Sequence, residues 1–137
     1  MRRFERLNIP ALAAESMQET KQVFMQWQQE QLNAGKKKGG GQIKPFYKPA
    51  TITIKKKKGQ PTDRVTLRDT GFFYDSIFLV VHKGNETFNV VSSDTKAPRL
   101  LDKYGDSIFG LGGVFKIGYI QDFRPVFMGK IRSILKV

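Results

Sequence analysis

Two β-rich runs lying close together constrain this chain most. Residues 76–82 (Ser-Ile-Phe-Leu-Val-Val-His) and 87–92 (Thr-Phe-Asn-Val-Val-Ser) flank Lys83-Gly84-Asn85-Glu86, a linker with hairpin-turn chemistry. The two runs are therefore expected to pair antiparallel. A two-stranded ribbon is marginal in water by itself, so other elements must cover one of its faces.

Helices are the expected cover. Residues 10–34 read as the longest helix, with Pro10 in a first turn where its missing amide costs nothing and Gly35 at a C-terminal cap. Ala13, Met17, Thr20, Phe24, Trp27 and Gln31 recur at helical spacing, a stripe apolar mainly at Met17, Phe24 and Trp27. Glu15, Glu19, Gln22, Gln26 and Glu30 form the opposite, polar face. Residues 125–137 read as a closing helix with Phe127, Ile131, Ile134 and Leu135 as its stripe, and residues 98–104 as a short helical turn. Ile52 and Ile54 alternate with Thr51 and Thr53, which predicts a strand over 50–55, and residues 114–119 suggest another. The expected fold class is α+β: a long N-terminal helix and a C-terminal helix packed on a small antiparallel β-sheet, with an extended basic loop or hairpin.

A length of 137 residues suits one domain with a real core. The chain has no cysteine, which excludes disulfides, thiolate zinc sites and thiol nucleophiles and fits synthesis in a reducing cytoplasm. No apolar run approaches the roughly 20 residues of a membrane span, so no membrane partner is expected. Met1-Arg2-Arg3-Phe4-Glu5-Arg6 has a basic flank without a following apolar core, unlike a signal peptide.

The charge is uneven. Residues 1–68 hold 15 Lys and Arg against 5 Asp and Glu, whereas residues 69–137 hold 9 against 7. Lys36, Lys37 and Lys38, and then Lys55, Lys56, Lys57 and Lys58, flank Phe46 and Tyr47. Repelling lysines between glycines and prolines predict an extended, mobile basic arm over about 36–64 within the one domain. Such an arm suits phosphate neutralisation with base stacking, docking on an acidic neighbouring subunit, or plain solvation. Lysines without arginine forks give little bidentate recognition, and no zinc-finger, RNP-type or helix-turn-helix pattern accompanies them.

Candidate chemistry is sparse. His82 stands at a strand end without serine–acid company at a recognisable spacing. Asp69, Asp75, Asp102, Asp106 and Asp122 are placed as turn formers rather than as paired carboxylates. Gly110-Leu111-Gly112-Gly113 lacks the Gly-Lys-Ser/Thr ending of a phosphate loop and the frame of a dinucleotide site. No catalytic residue, metal ligand or cofactor site is assigned, and the chain is expected not to be an enzyme.

Leu67-Arg68-Asp69-Thr70-Gly71-Phe72, followed by Ser76-Ile77, resembles the Leu-x-x-Thr-Gly-x-Leu-x-x-Ser-Ile segment of tailed-bacteriophage virion-morphogenesis proteins. These are the head–tail joining, neck or tail-completion group. Phe24-x-x-Trp27 ahead of a basic loop, the hairpin after the Thr-Gly segment, and Arg124-Pro125-Val126-Phe127 as the lead-in to a C-terminal helix resemble the same family in the same order. Leu100 to Leu111 departs from it, standing where the family has Tyr-Ala-x-x-x-Glu-x-Gly. The resemblance implies a non-catalytic α+β subunit of a homo-oligomeric ring between portal and tail, with other neck, portal or tail proteins as partners. Channel-facing lysines would touch passing DNA without reading its sequence. The alternative is a non-sequence-specific nucleic-acid-binding module whose arm does the binding.

Overall fold

A computed structural model describes residues 8–82 and 87–135. Among them are six α-helices and one antiparallel strand pair: α1 (Ile9–Glu19), α2 (Lys21–Asn33), α3 (Pro49–Lys57), α4 (Phe72–Ser76), β1 (Ile77–His82), β2 (Thr87–Ser92), α5 (Ala97–Tyr104) and α6 (Gly113–Leu135). The fold is α+β, with more helix and less sheet than the sequence suggests. Residues 83–86, where a hairpin turn is expected, the basic start at 1–7 and the last two residues lie outside the described residues.

The expected helix over 10–34 is two helices that meet at Thr20. Thr20 Oγ1 donates back to the Ser16 carbonyl (2.7 Å), a bond that bends helices. That uses its only proton, so the buried Tyr119 phenol, 2.8 Å away, donates to Thr20. At the far end Gly35 N–H donates to Leu32 O and Lys36 N–H to Gln31 O, the paired bonds of a Schellman cap at the expected glycine. Glu15, Glu19, Gln22, Gln26 and Glu30 are all exposed, as the periodicity requires.

The strand predicted over 50–55 is helix α3. Pro49 opens it at the first turn and Lys55, Lys56 and Lys57 close it at the negative end of its dipole. Thr51, Ile52 and Lys55 face inward while Thr53, Ile54, Lys56 and Lys57 are exposed. That is burial at helical spacing, which outweighs the few tenths of a kcal/mol that Thr and Ile cost a helix.

The strand predicted over 114–119 is the first part of α6, and Arg124-Pro125 lies inside this 23-residue helix rather than leading into it. Phe115, Tyr119, Phe123 and Phe127 recur every four residues along its inner side. Pro125 leaves the Gln121 carbonyl without its helical donor, but both residues are exposed, so water can serve that carbonyl.

Among the described residues the sheet is the strand pair alone, running from Ile77 opposite Ser92 to His82 opposite Thr87. Ile77 and Leu79 are buried, while Phe78 points the other way and is exposed. Helices α1 and α2 touch both β1 and α6. α6 therefore lies on the two N-terminal helices, antiparallel to them, with Gly118 at Trp27 and Lys130 at Glu19 and Glu15. A methyl group at Gly118 would run into the Trp27 ring. Trp27 Nε1 donates to Asp122 Oδ2 (2.8 Å) across the same contact.

Two apolar clusters result. One gathers Leu32, Ile43, Val65, Phe73, Tyr74, Ile77, Ala97 and Ile108. The other gathers Phe24, Leu79, Leu111 and Tyr119. β1 spans both, with Ile77 in the first and Leu79 in the second.

Candidate functional site

The basic arm is not an arm. Residues 36–42 fold back as a turn with Lys36 bridged to Gln42, and Ile43 is buried in the first cluster. Lys38 N–H donates to Ser107 O (2.7 Å), and Arg64 Nε donates to Asn33 O (2.6 Å) at the end of α2. The segment is held at both ends and in its middle, because Ile43, Val65 and Lys55 carry too much buried surface to swing free.

The two lysine clusters are anchored to different parts of the body. Lys38 lies against Gly110 and Gly112. Lys55 Nζ instead donates to Arg68 O (2.9 Å) and Gln60 Oε1 (3.3 Å), and Lys58 pairs with Asp69. Lys56 and Lys57 are exposed, and neither makes an ion pair among the described residues.

The Thr-Gly segment turns the chain into α4. Gly71 has φ +95° and starts α4, a conformation that side-chain-bearing residues rarely hold. Thr70 Oγ1 accepts from Phe72 N–H (3.4 Å). Ser76 Oγ donates to Phe73 O (2.5 Å), so Ser92 Oγ, 2.6 Å away, donates to Ser76. This latch ties the base of the hairpin beside the fully buried Ile77. Thr70, Gly71, Ser76 and Ile77 are thus joined in one unit, whereas Arg124, Pro125 and Phe127 sit apart on α6. There Phe127 stacks on Phe123, ring centroids 5.5 Å apart.

Gln28 and Gln31 were not legible as structural residues. Both are fully buried on α2 and grip the backbone of the 108–112 loop. Gln28 accepts from Gly110 N–H (2.7 Å) and donates to Ile108 O (3.2 Å). Gln31 accepts from Gly112 N–H (2.9 Å) and donates to Gly110 O (2.7 Å). The glycine run is a clamped joint between α2 and α6, and a side chain at Gly112 would strike the Lys38 carbonyl.

His82 lies 3.2 Å from Asn89 Nδ2 across the hairpin. Among the described residues no three His, Cys, Asp or Glu side chains gather closely enough to hold a metal ion. No described helix is long and apolar enough to cross a membrane.

What the surface does offer is apolar. Val114 is 71% exposed and Ile117 57%, with Ile120 and Met128 also exposed along α6. Ile117, Ile120 and Pro125 line a shallow groove of about 370 Å³ with Gln121 and Arg124. The outward face of the hairpin adds Phe78. No protein-family model, curated protein or solved structure matches the chain.

Proposed function

We propose that the chain is a non-catalytic structural subunit of a tailed-bacteriophage head–tail connector, neck or tail-completion ring. It acts in virion assembly and resides in the virion, where its partners are copies of itself and adjacent neck, portal or tail proteins. The observation that carries this reading is the exposed apolar row Val114, Ile117, Ile120 and Met128 on α6. Phe78, on the face of the hairpin turned away from the buried Leu79, is a second exposed apolar site. Two unlike apolar faces on one chain suit head-to-tail contact, which closes into a ring when the rotation permits. The Thr70-Gly71 and Ser76-Ile77 pattern, feeding a hairpin, supplies the link to phage morphogenesis proteins. Imaging of phage particles carrying a tagged copy tests it: label at the neck or tail junction is expected, and label confined to the capsid shell or absent from particles contradicts it.

Lys56 and Lys57, exposed and without an ion pair among the described residues, support a second reading in which the chain binds nucleic acid through phosphate charge. Affinity for random duplex DNA falling steeply with salt, and lost in the Lys56→Gln/Lys57→Gln variant, would favour it over ring assembly.

A further inference from the structure

A slot of about 250 Å³ lies between α3, α5 and residues 67–70. Its walls are apolar and aromatic, with Tyr47, Leu67, Phe73, Leu100 and Tyr104 prominent, and Lys55 and Lys96 also line it. Lys55 is only 9% exposed. Among the described residues its ammonium directly contacts neutral groups: the Arg68 carbonyl, the Gln60 amide oxygen and the Tyr47 ring, 4.8 Å from the centroid. An ammonium has three donors and two are in use, while a buried charge without an opposite partner is costly. No carboxylate lies within ion-pair distance of it among the described residues. Asp69, which also lines the slot, pairs with Lys58, and Lys58 foremost, then Lys55 and Lys96, hold its carboxyl below the usual range. One carboxylate thus serves three lysines.

The slot is also built rigidly. Tyr47 Oη accepts from Thr66 N–H (2.8 Å) and Tyr74 Oη donates to Thr66 O (2.5 Å), so two tyrosines hold the successive peptide groups on either side of the Thr66 Cα. The next residue, Leu67, has φ +57°, uncommon for a residue with a branched side chain. Strain of this kind persists where the surroundings over-determine it, often at ligand clamps. Here it precedes the Arg68 carbonyl that orients Lys55.

We propose that this slot binds a carboxylate carried on a short apolar or aromatic stem, the carboxylate on Lys55 with Lys96 at the mouth and the stem between Tyr47, Leu100 and Tyr104. Arg68 also lines the slot, but its guanidinium lies over the Tyr74 ring, 5.9 Å from its centroid, which leaves the Lys55 and Lys96 ammonium groups to meet a ligand. That favours a singly charged carboxylate over a phosphate. The carboxylate comes either from a free small acid or from a glutamate beside an aromatic residue on a partner chain.

The full chain is titrated with phenylacetate, its neutral analogue 2-phenylethanol, inorganic phosphate and a capped Ala-Phe-Glu-Phe-Ala peptide, read by NMR shifts of Leu67, Leu100 and Tyr104. Saturable shifts with phenylacetate or the peptide are expected, at least about tenfold weaker with phenylethanol and after Lys55→Met. Tighter binding of phenylacetate assigns a free acid, and tighter binding of the peptide assigns a partner's side chain. Leu100→Trp, which fills the slot while keeping Lys55, is expected to abolish the shifts even if Lys55→Met fails to fold. Phosphate binding better than both carboxylates, equal binding of phenylethanol, or unchanged affinity in Leu100→Trp would overturn the proposal.

Discussion

The two faces of α6 carry similar side chains and have opposite fates. Tyr119, Phe123 and Phe127 are turned onto α1 and α2, where Tyr119 meets Phe24 edge-on at 5.1 Å and its hydroxyl is hydrogen-bonded. Val114, Ile117, Ile120 and Met128 are turned outward and exposed. The inner face is specified by detail: a glycine under a tryptophan ring, a phenol on a threonine, and Lys130 between Glu15 and Glu19. Among the described residues the outer face shows no such detail. On the proposed function, folding and association are written on opposite sides of one helix, and substitutions should separate them.

The largest effect belongs to the inner face. Phe24→Ala empties the centre of the second cluster and should cost about 3–5 kcal/mol, measured by chemical unfolding. A loss below about 1 kcal/mol would mean that this face is not a core. Next comes the joint that positions α6: Gln28→Leu strands Gly110 N–H and Ile108 O, and Gln31→Leu strands Gly112 N–H and Gly110 O. Each should cost about 1–3 kcal/mol and speed exchange of the glycine amides.

A pH titration sharpens the contrast further. Burial pushes the Tyr74 and Tyr119 phenols above their ordinary value of 10.0. The folded state therefore holds those protons more tightly than the unfolded chain does. The stability they contribute is complete below pH 10 and is lost as pH rises through the raised values. Unfolding free energy should fall on the alkaline side, and less steeply in Tyr74→Phe. An identical alkaline slope in that variant would remove Tyr74 from the account. The smallest effect on stability belongs to the outer face, where Ile117→Asp should change the unfolding free energy of the isolated chain by no more than about 0.5 kcal/mol.

Much of this arrangement was legible from local chemistry. The hairpin runs, Pro10, the Gly35 cap and the polar face of the N-terminal helices announce themselves because each uses a short-range signal. Residues 50–55 misled because alternating Thr and Ile satisfy the strand period, while the inward placement of the partly covered Thr51 and Ile52 and the buried Lys55, which decides for helix, is tertiary. Pro125 misled as a helix start because an interior proline is tolerated when the orphaned carbonyl faces water. The lysine segments looked alike, yet one is docked by its backbone and the other hides an ammonium. Gln31 already lay on the inward stripe, whereas Gln28 carried no local signal of its buried role. The available signal was the glycine-rich 110–113 loop, whose backbone donors needed partners once buried.

Sedimentation velocity of the wild type and Ile117→Asp over a concentration series tests the assembly account most directly. The wild type should form a discrete oligomer larger than a dimer. Ile117→Asp should shift to monomer, its association at least about tenfold weaker, with its thermal unfolding unchanged. A wild type that stays monomeric at every concentration, or an oligomer indifferent to aspartate at 117, would contradict it.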